Sequence, residues 1–125
     1  MATCLFTAQT ICAEMDSGTP NDTTVYTPWF GSPADAATFL VEVQAISRDA
    51  TLTIDVQTKK VDATDSAAAA PTIGSSISRT ATGVGSSRYA GMLELVRIKA
   101  TLSKGTTDGV VYCTFRMLPV AWELN

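Results

Sequence analysis

Apolar and polar residues alternate with a period of two along most of this chain, the spacing of strands that bury one face. In "TFLVEVQAIS" Phe39, Val41, Val43 and Ala45 fall on one side, and Leu40, Glu42, Gln44 and Ile46 on the other. In "TLTIDVQT" Leu52, Ile54 and Val56 oppose Thr51, Thr53, Asp55 and Gln57. The short polar "SRDA" between the two runs predicts an antiparallel hairpin. Further on, "LELVRIKATL" places Val96, Ile98, Ala100 and Leu102 opposite Arg97, Lys99 and Thr101. After the Gly-bearing "SKGTTDG", "VVYCTFRML" places Val111, Cys113, Phe115 and Met117 opposite Tyr112, Thr114 and Arg116, which predicts a second hairpin.

Two weaker runs add to these. One spans about Thr3 to Ala13, and the other is "TTVYTPWF" at 23–30, where Pro28 lacks a backbone donor and so belongs at a sheet edge. Helix signals are nearly absent. Ser32, Pro33 and Asp35 in "SPADAATF" suit a cap and a turn or two of helix, and nothing else sustains a 3.6-residue repeat. Residues 61–91 are small and polar, with "TIGSSISRTATG" a third weak strand candidate so rich in Gly and Ser that it reads equally as loop. A structureless segment of that length is usually functional or disordered. It is expected to be an excursion ordered, if at all, by packing on another subunit. The whole pattern predicts an all-β fold, an antiparallel β-sandwich or jelly-roll-like barrel of about six to seven short strands with one long loop.

Length sharpens that picture. The 125 residues fit a single domain, 1–125, able to bury about two-thirds of its unfolded surface without metal or disulfide staples. Charged residues are 17 % and the net charge is −3, which argues against nucleic-acid or anionic-membrane partners, since both demand clustered Lys and Arg. No Lys or Arg precedes Arg48, whereas Glu14, Asp16, Asp22, Asp35 and Glu42 do, a segregation that suits head-to-tail contact between copies or plain chance. The opening "MATCLFTAQTICAEM" lacks a basic region and reads as a strand rather than a signal peptide. No run approaches the roughly 18 to 20 apolar residues of a membrane span. Synthesis and retention in a cytoplasm, until any assembly is complete, are expected. Cys4 and Cys12 on one strand would lie about 26 Å apart, beyond disulfide reach, so free thiols are expected at Cys4, Cys12 and Cys113.

Candidate chemistry is sparse. The chain has no histidine, which removes Ser-His-Asp and Cys-His catalysis and imidazole metal ligation. Glu14, Asp16 and Asp22, and separately Asp62 and Asp65, lack the spacing of a calcium loop and read as solvated loop acids. Cys113 sits on an inward face, where thiols are poor nucleophiles. The glycines of "TGVGSSR" are not followed by a P-loop lysine. No catalytic residue, metal site or cofactor is predicted, and the chain is expected not to be an enzyme.

Aromatic residues carry more weight. Trp29 and Phe30 flank Pro28 and Gly31, and Trp122 follows Pro119, all outside clean strand interiors. Three readings stand for such a Trp: a cap on its own core, a subunit contact, or a sugar-stacking platform. In "VVYCTFRMLPVAWELN" the closing strand leads into a tail, 119–125, expected to dock on a neighbouring subunit and to be dispensable for folding after Leu118. The expected subunit or capsid contacts are Trp29, Phe30, Val120, Trp122 and Leu124.

The stretch "LELVRIKATLSKGTTDGVVYCTFRMLP" resembles small structural proteins of tailed bacteriophages, with "L-x-L-V-R" opening one strand and "V-x-C-T-F-R-M-L-P" closing the next. The resemblance covers about a quarter of the chain and no catalytic motif. It implies a β-sandwich or β-barrel decoration protein on the outside of a phage head, often trimeric, with itself and the major capsid protein as partners and the virion as location. A head-completion or tail component, and a β-sandwich carbohydrate-binding module using Trp29 or Trp122, are the alternatives.

Overall fold

The computed structural model describes residues 9–16, 19–105 and 110–123. They form eleven strands: β1 (Gln9–Asp16), β2 (Thr19–Asn21), β3 (Thr23–Tyr26), β4 (Phe30–Gly31), β5 (Ala36–Ile46), β6 (Ala50–Lys59), β7 (Ile77–Arg79), β8 (Gly83–Ala90), β9 (Leu95–Lys104), β10 (Val110–Met117) and β11 (Ala121–Glu123). One turn of 3₁₀ helix, Asp65–Ala67, interrupts the loop before β7. No helix among the described residues is long and apolar enough to cross a membrane.

Two antiparallel sheets pack face to face. In one, β8, β5, β10, β1 and β2 lie side by side, with β11 continuing the line of β10 along β5. In the other, the order is β3, β9, β6, β7, with β4 continuing β3 along β9. Taking β3 with β4 and β10 with β11 as single strands, and β2 as an outer extension of β1, leaves eight. The first pairs with the last, the second with the seventh, the third with the sixth and the fourth with the fifth. This is one long antiparallel ribbon rolled up on itself, the jelly-roll topology.

The all-β sandwich expected from the alternation is therefore present, but neither predicted hairpin is. β5 and β6 lie in opposite sheets, and so do β9 and β10. The short connection at 47–49 arches between sheets instead of turning within one. β6 pairs instead with β9, over ten consecutive residues from Ala50↔Lys104 to Lys59↔Leu95. Alternation fixes which face of a strand is buried. It leaves open which sheet holds the strand, because both inner faces point at the same core.

That core holds the alternating residues in phase. Leu52, Ile54, Val56, Val96, Ile98, Ala100 and Leu102 from one sheet meet Phe39, Val41, Val43, Val111, Cys113, Phe115 and Met117 from the other, all buried. Ala45 follows the inward parity of β5 but is only partly buried. The β10–β5 register shifts between Thr114 and Phe115, so that Thr114 opposes Ala45 and Phe115 opposes Val43. A bulge of this kind turns neighbouring side chains out of the alternation.

Residues 61–91 are held by their own chain rather than waiting on another. Leu52, Thr53 and Ile54 pair with β7, and all of β8 pairs with β5. The small residues are what make this packing possible. A Cβ on Gly85 would lie 2.6 Å from Ile77 Cγ2, so the bare β8 backbone is what lets β7 close over the sandwich. Gly74, at φ +152°, lies against the ring of buried Tyr89, whose hydroxyl donates to the Ser75 carbonyl at 2.6 Å. The helix expected at "SPADAATF" does not form. Ser32 Oγ donates to the Ala34 carbonyl within a bend, and the chain enters β5 at Ala36. The N-terminal strand begins at Gln9 among the described residues; Cys4 and the rest of the expected Thr3–Ala8 portion lie outside them.

Ile98 is fully buried at the centre of β9. Ile98→Ala is expected to lower unfolding free energy by about 2–5 kcal/mol, measured by chemical denaturation with an unchanged far-UV spectrum.

Candidate functional site

The densest side-chain cluster lies on the outer face of the β9–β6 sheet, where Trp29 leaves the chain between β3 and β4. Pro28 interrupts the edge strand there, and Thr27 bridges the gap: its backbone N–H donates to Ile98 O, and its hydroxyl accepts from Ile98 N–H at 2.9 Å. Trp29 is thereby turned across β9 and β6. Arg97 lies over its ring at 4.6 Å and Lys59 at 4.8 Å, while Arg97 also lies 4.1 Å from the ring of Tyr26. Cations held over aromatic faces in this way are attracted by the ring quadrupole.

Asp65 completes the cluster from the 3₁₀ turn. Its carboxylate accepts from Trp29 Nε1 at 3.0 Å and from Lys59 Nζ at 2.8 Å, with Arg97 Nη1 at 3.7 Å. Lys59 is only 9 % exposed, and it also donates to the Ala63 carbonyl. Arg97 Nε donates to Gln57 Oε1 at 2.7 Å. A nearly buried ammonium needs a counter-charge and acceptors, and the loop supplies both. The arrangement pins residues 63–67 to the sheet. Both cations and the indole N–H are engaged within the chain.

Phe30 and Trp122, also expected as contacts, come together at a different place. Their rings meet edge-to-face at 6.5 Å, and Trp122 meets the buried Phe39 at 5.9 Å. Val120 is buried in the same core, and Ala121–Glu123 pair with Ala36–Thr38. The tail expected to dock elsewhere thus completes its own sheet. Cutting the chain after Leu118 would remove buried Val120 and partly buried Trp122 from this packing. Leu124 lies outside the described residues.

The remaining candidates offer little chemistry. Cys113 is a free thiol, fully buried, and burial pushes its pKa up to about 11, so no thiolate is available near neutral pH. Among the described residues no group of His, Cys, Asp or Glu could hold a metal ion. An open cleft of about 390 Å³ is bordered by Ser32, Asp35, Lys60, Met92 and Glu94. One of its acids, Glu94, already accepts from the Val61 N–H at 3.0 Å. Sequence reasoning singled out Trp29 but missed Tyr26, Lys59 and Arg97. Lys59 and Arg97 stand at ordinary outward positions of their strands, and only the β6–β9 register brings them to one tryptophan.

No family model matches this chain, and comparisons with curated proteins and with solved structures likewise find no match.

The Lys59 hydrogen bond, more than any other contact, holds the Asp65 carboxyl below its ordinary 3.8, against an opposing push from desolvation. A depressed carboxyl pKa adds stability above the unfolded-state value and loses it as pH falls through the folded one. The stability advantage of the native protein over Asp65→Asn is therefore expected at neutral pH and should shrink once pH drops below 3.8, read from thermal midpoints across an acid series. Cys113 is expected to stay unlabelled by iodoacetamide in the folded protein and to react fully in denaturant, as mapped by peptide mass spectrometry.

Proposed function

We propose that this protein is a non-enzymatic structural component of a virion, binding the outer surface of a bacteriophage capsid and stabilising it as a decoration protein, in assembly with copies of itself. The observation that carries this reading is the rolled eight-strand ribbon with a solid interior. Large aliphatic and aromatic side chains fill the space between the sheets, where ligand-binding members of barrel and sandwich architectures keep a cavity. Jelly rolls serve in viral capsids, lectins and cupins alike, so topology supports a class and not an activity.

Three further features favour assembly over catalysis or sugar binding. Cys113 is buried, and Asp65 is paired with Lys59. The two tryptophans that a carbohydrate module would present are engaged at home, Trp29 by Lys59 and Arg97, Trp122 by Phe30 and Phe39. The segment from Leu93 to Pro119 resembles small phage structural proteins.

The test is co-sedimentation of the purified protein with intact heads of the phage whose genome encodes it. Saturable binding, with heads made more resistant to heat, is expected. Heads that neither bind the protein nor gain resistance from it would overturn the decoration reading.

A further inference from the structure

The strand β8 lies at the edge of its sheet and pairs on one side only, with β5. In an antiparallel strand the N–H and C=O of a given residue point to the same side, and the side alternates along the strand. Ala90 sends both groups away from β5, to Ile73: Ala90 N–H donates to Ile73 O at 2.7 Å, and Ile73 N–H donates to Ala90 O. The same parity directs the backbone groups of Val84 and Ser86 outward. The covering segment stays beside the far end of β8, where Ser75 N–H reaches Ser87 Oγ at 3.4 Å. No strand pairs with the stretch from Gly83 to Ser86 on its outer side.

Edges of this kind are normally blunted by proline, lysine, short length or a bulge. Most of the other edges here are, although among the described residues the outer side of β1 from Gln9 to Ala13 also has no paired strand. β2 has three residues and carries Pro20, β7 has three, and the β3–β4 edge is broken at Thr27–Trp29 by Pro28. β8 has eight residues, and "GVGSS" contains neither proline nor charge. Of the flanking arginines, Arg79 lies over Gly83 and Gly85 on the inner side, and both are held within the chain. Arg79 donates to the Thr82 carbonyl at 3.0 Å, and Arg88 is held by Glu123 in a bidentate pair at 2.7 Å. Val84 projects from this edge 49 % exposed.

We propose that β8 is a self-association edge, taking the same strand of a second copy antiparallel across a two-fold axis at Gly85. This deepens the assembly reading above and rests on it for its biological purpose. With the axis at Gly85, Val84 of each copy faces Ser86 of the other, and about four ladder hydrogen bonds form between these outward-pointing backbone groups. The axis at Gly85 keeps the incoming strand clear of Ser75. The two valines become diagonal neighbours on the outer face, and each covers the Leu40 that adjoins Ser86 in the other copy. The paired stretch itself, Val84 to Ser86, contains no charged residue. An antiparallel edge is complementary to itself, which singles out a second copy as the occupant, and two-fold pairing closes without leading to a filament.

Sedimentation velocity of the full chain over a concentration series tests this. The native protein is expected to pass from monomer to a dimer of twice the mass. Ser86→Pro removes one outward N–H while leaving the β5 ladder whole, and Val84→Lys sets two positive charges side by side. Both variants are expected to remain monomeric where the native protein is dimeric, with native far-UV spectra. A native protein that stays monomeric at its highest soluble concentration would overturn the proposal, as would a dimer insensitive to both substitutions or a mass that grows without limit. Head binding is read separately. Variants that bind heads normally but fail to dimerise, or the reverse, separate the edge from the decoration reading.

Discussion

The ten-residue pairing of β6 with β9 is the constraint on which the rest of this molecule depends. It sets Leu52 against Leu102, Ile54 against Ala100 and Val56 against Ile98, so that two strands distant in sequence present a single apolar floor. β3 and β4 attach to one side of that floor and β7 to the other. The second sheet lies on it through Phe39, Val41, Phe115 and Met117. A slip of one residue in this register would turn Arg97 and Lys99 inward and Ile98 out.

The same pairing governs the polar side. It brings Lys59 and Arg97 together at the ring of Trp29, and through Asp65 it holds the loop that leads to β7. At the opposite sheet, Arg116 pairs with Glu42 across the neighbouring strands β10 and β5, and Arg88 of β8 reaches over β5 to Glu123 of β11. Exposed pairs like these contribute little each. Their effect is to leave the sheet faces with few unpartnered charges, so that the least guarded surface is an edge.

Alternation in the sequence was enough to read strand identity and the buried face, since Val41, Ile54, Ile98 and Phe115 all lie where their parity places them. Pairing was not legible. A short polar connector looks the same whether it turns within a sheet or arches between two, and both hairpins failed for that reason. β7 falls within a weak strand candidate that reads equally as loop, and β8 carries no strand signal because its inward positions include Gly83, Gly85 and Ser87. These residues are small because Ile77 and Arg79 occupy the space above them, a fact recorded only in the partner strand. The Trp29 cluster is illegible for a related cause: its members stand at 26, 29, 59, 65 and 97, and nothing local links them. Trp122 kept three open readings until β11 was seen to pair with β5 beside Phe39.

A rolled ribbon also imposes an order of events on synthesis. The first strand made, β1, waits for β10, and β5 waits for β8, β10 and β11. While the chain emerges from a ribosome, the early strands lack most of their partners, because apart from the β1–β2 pairing these are made later. β6 meets β7 within the middle of the sequence, whereas Trp122 joins Phe39 across more than half of it. Slow closure of such distant contacts is the general cost of non-local topology. On crowded polysomes, nascent copies of this chain would expose matching unpaired edges to one another, and the protection of those intermediates falls to chaperones rather than to the fold.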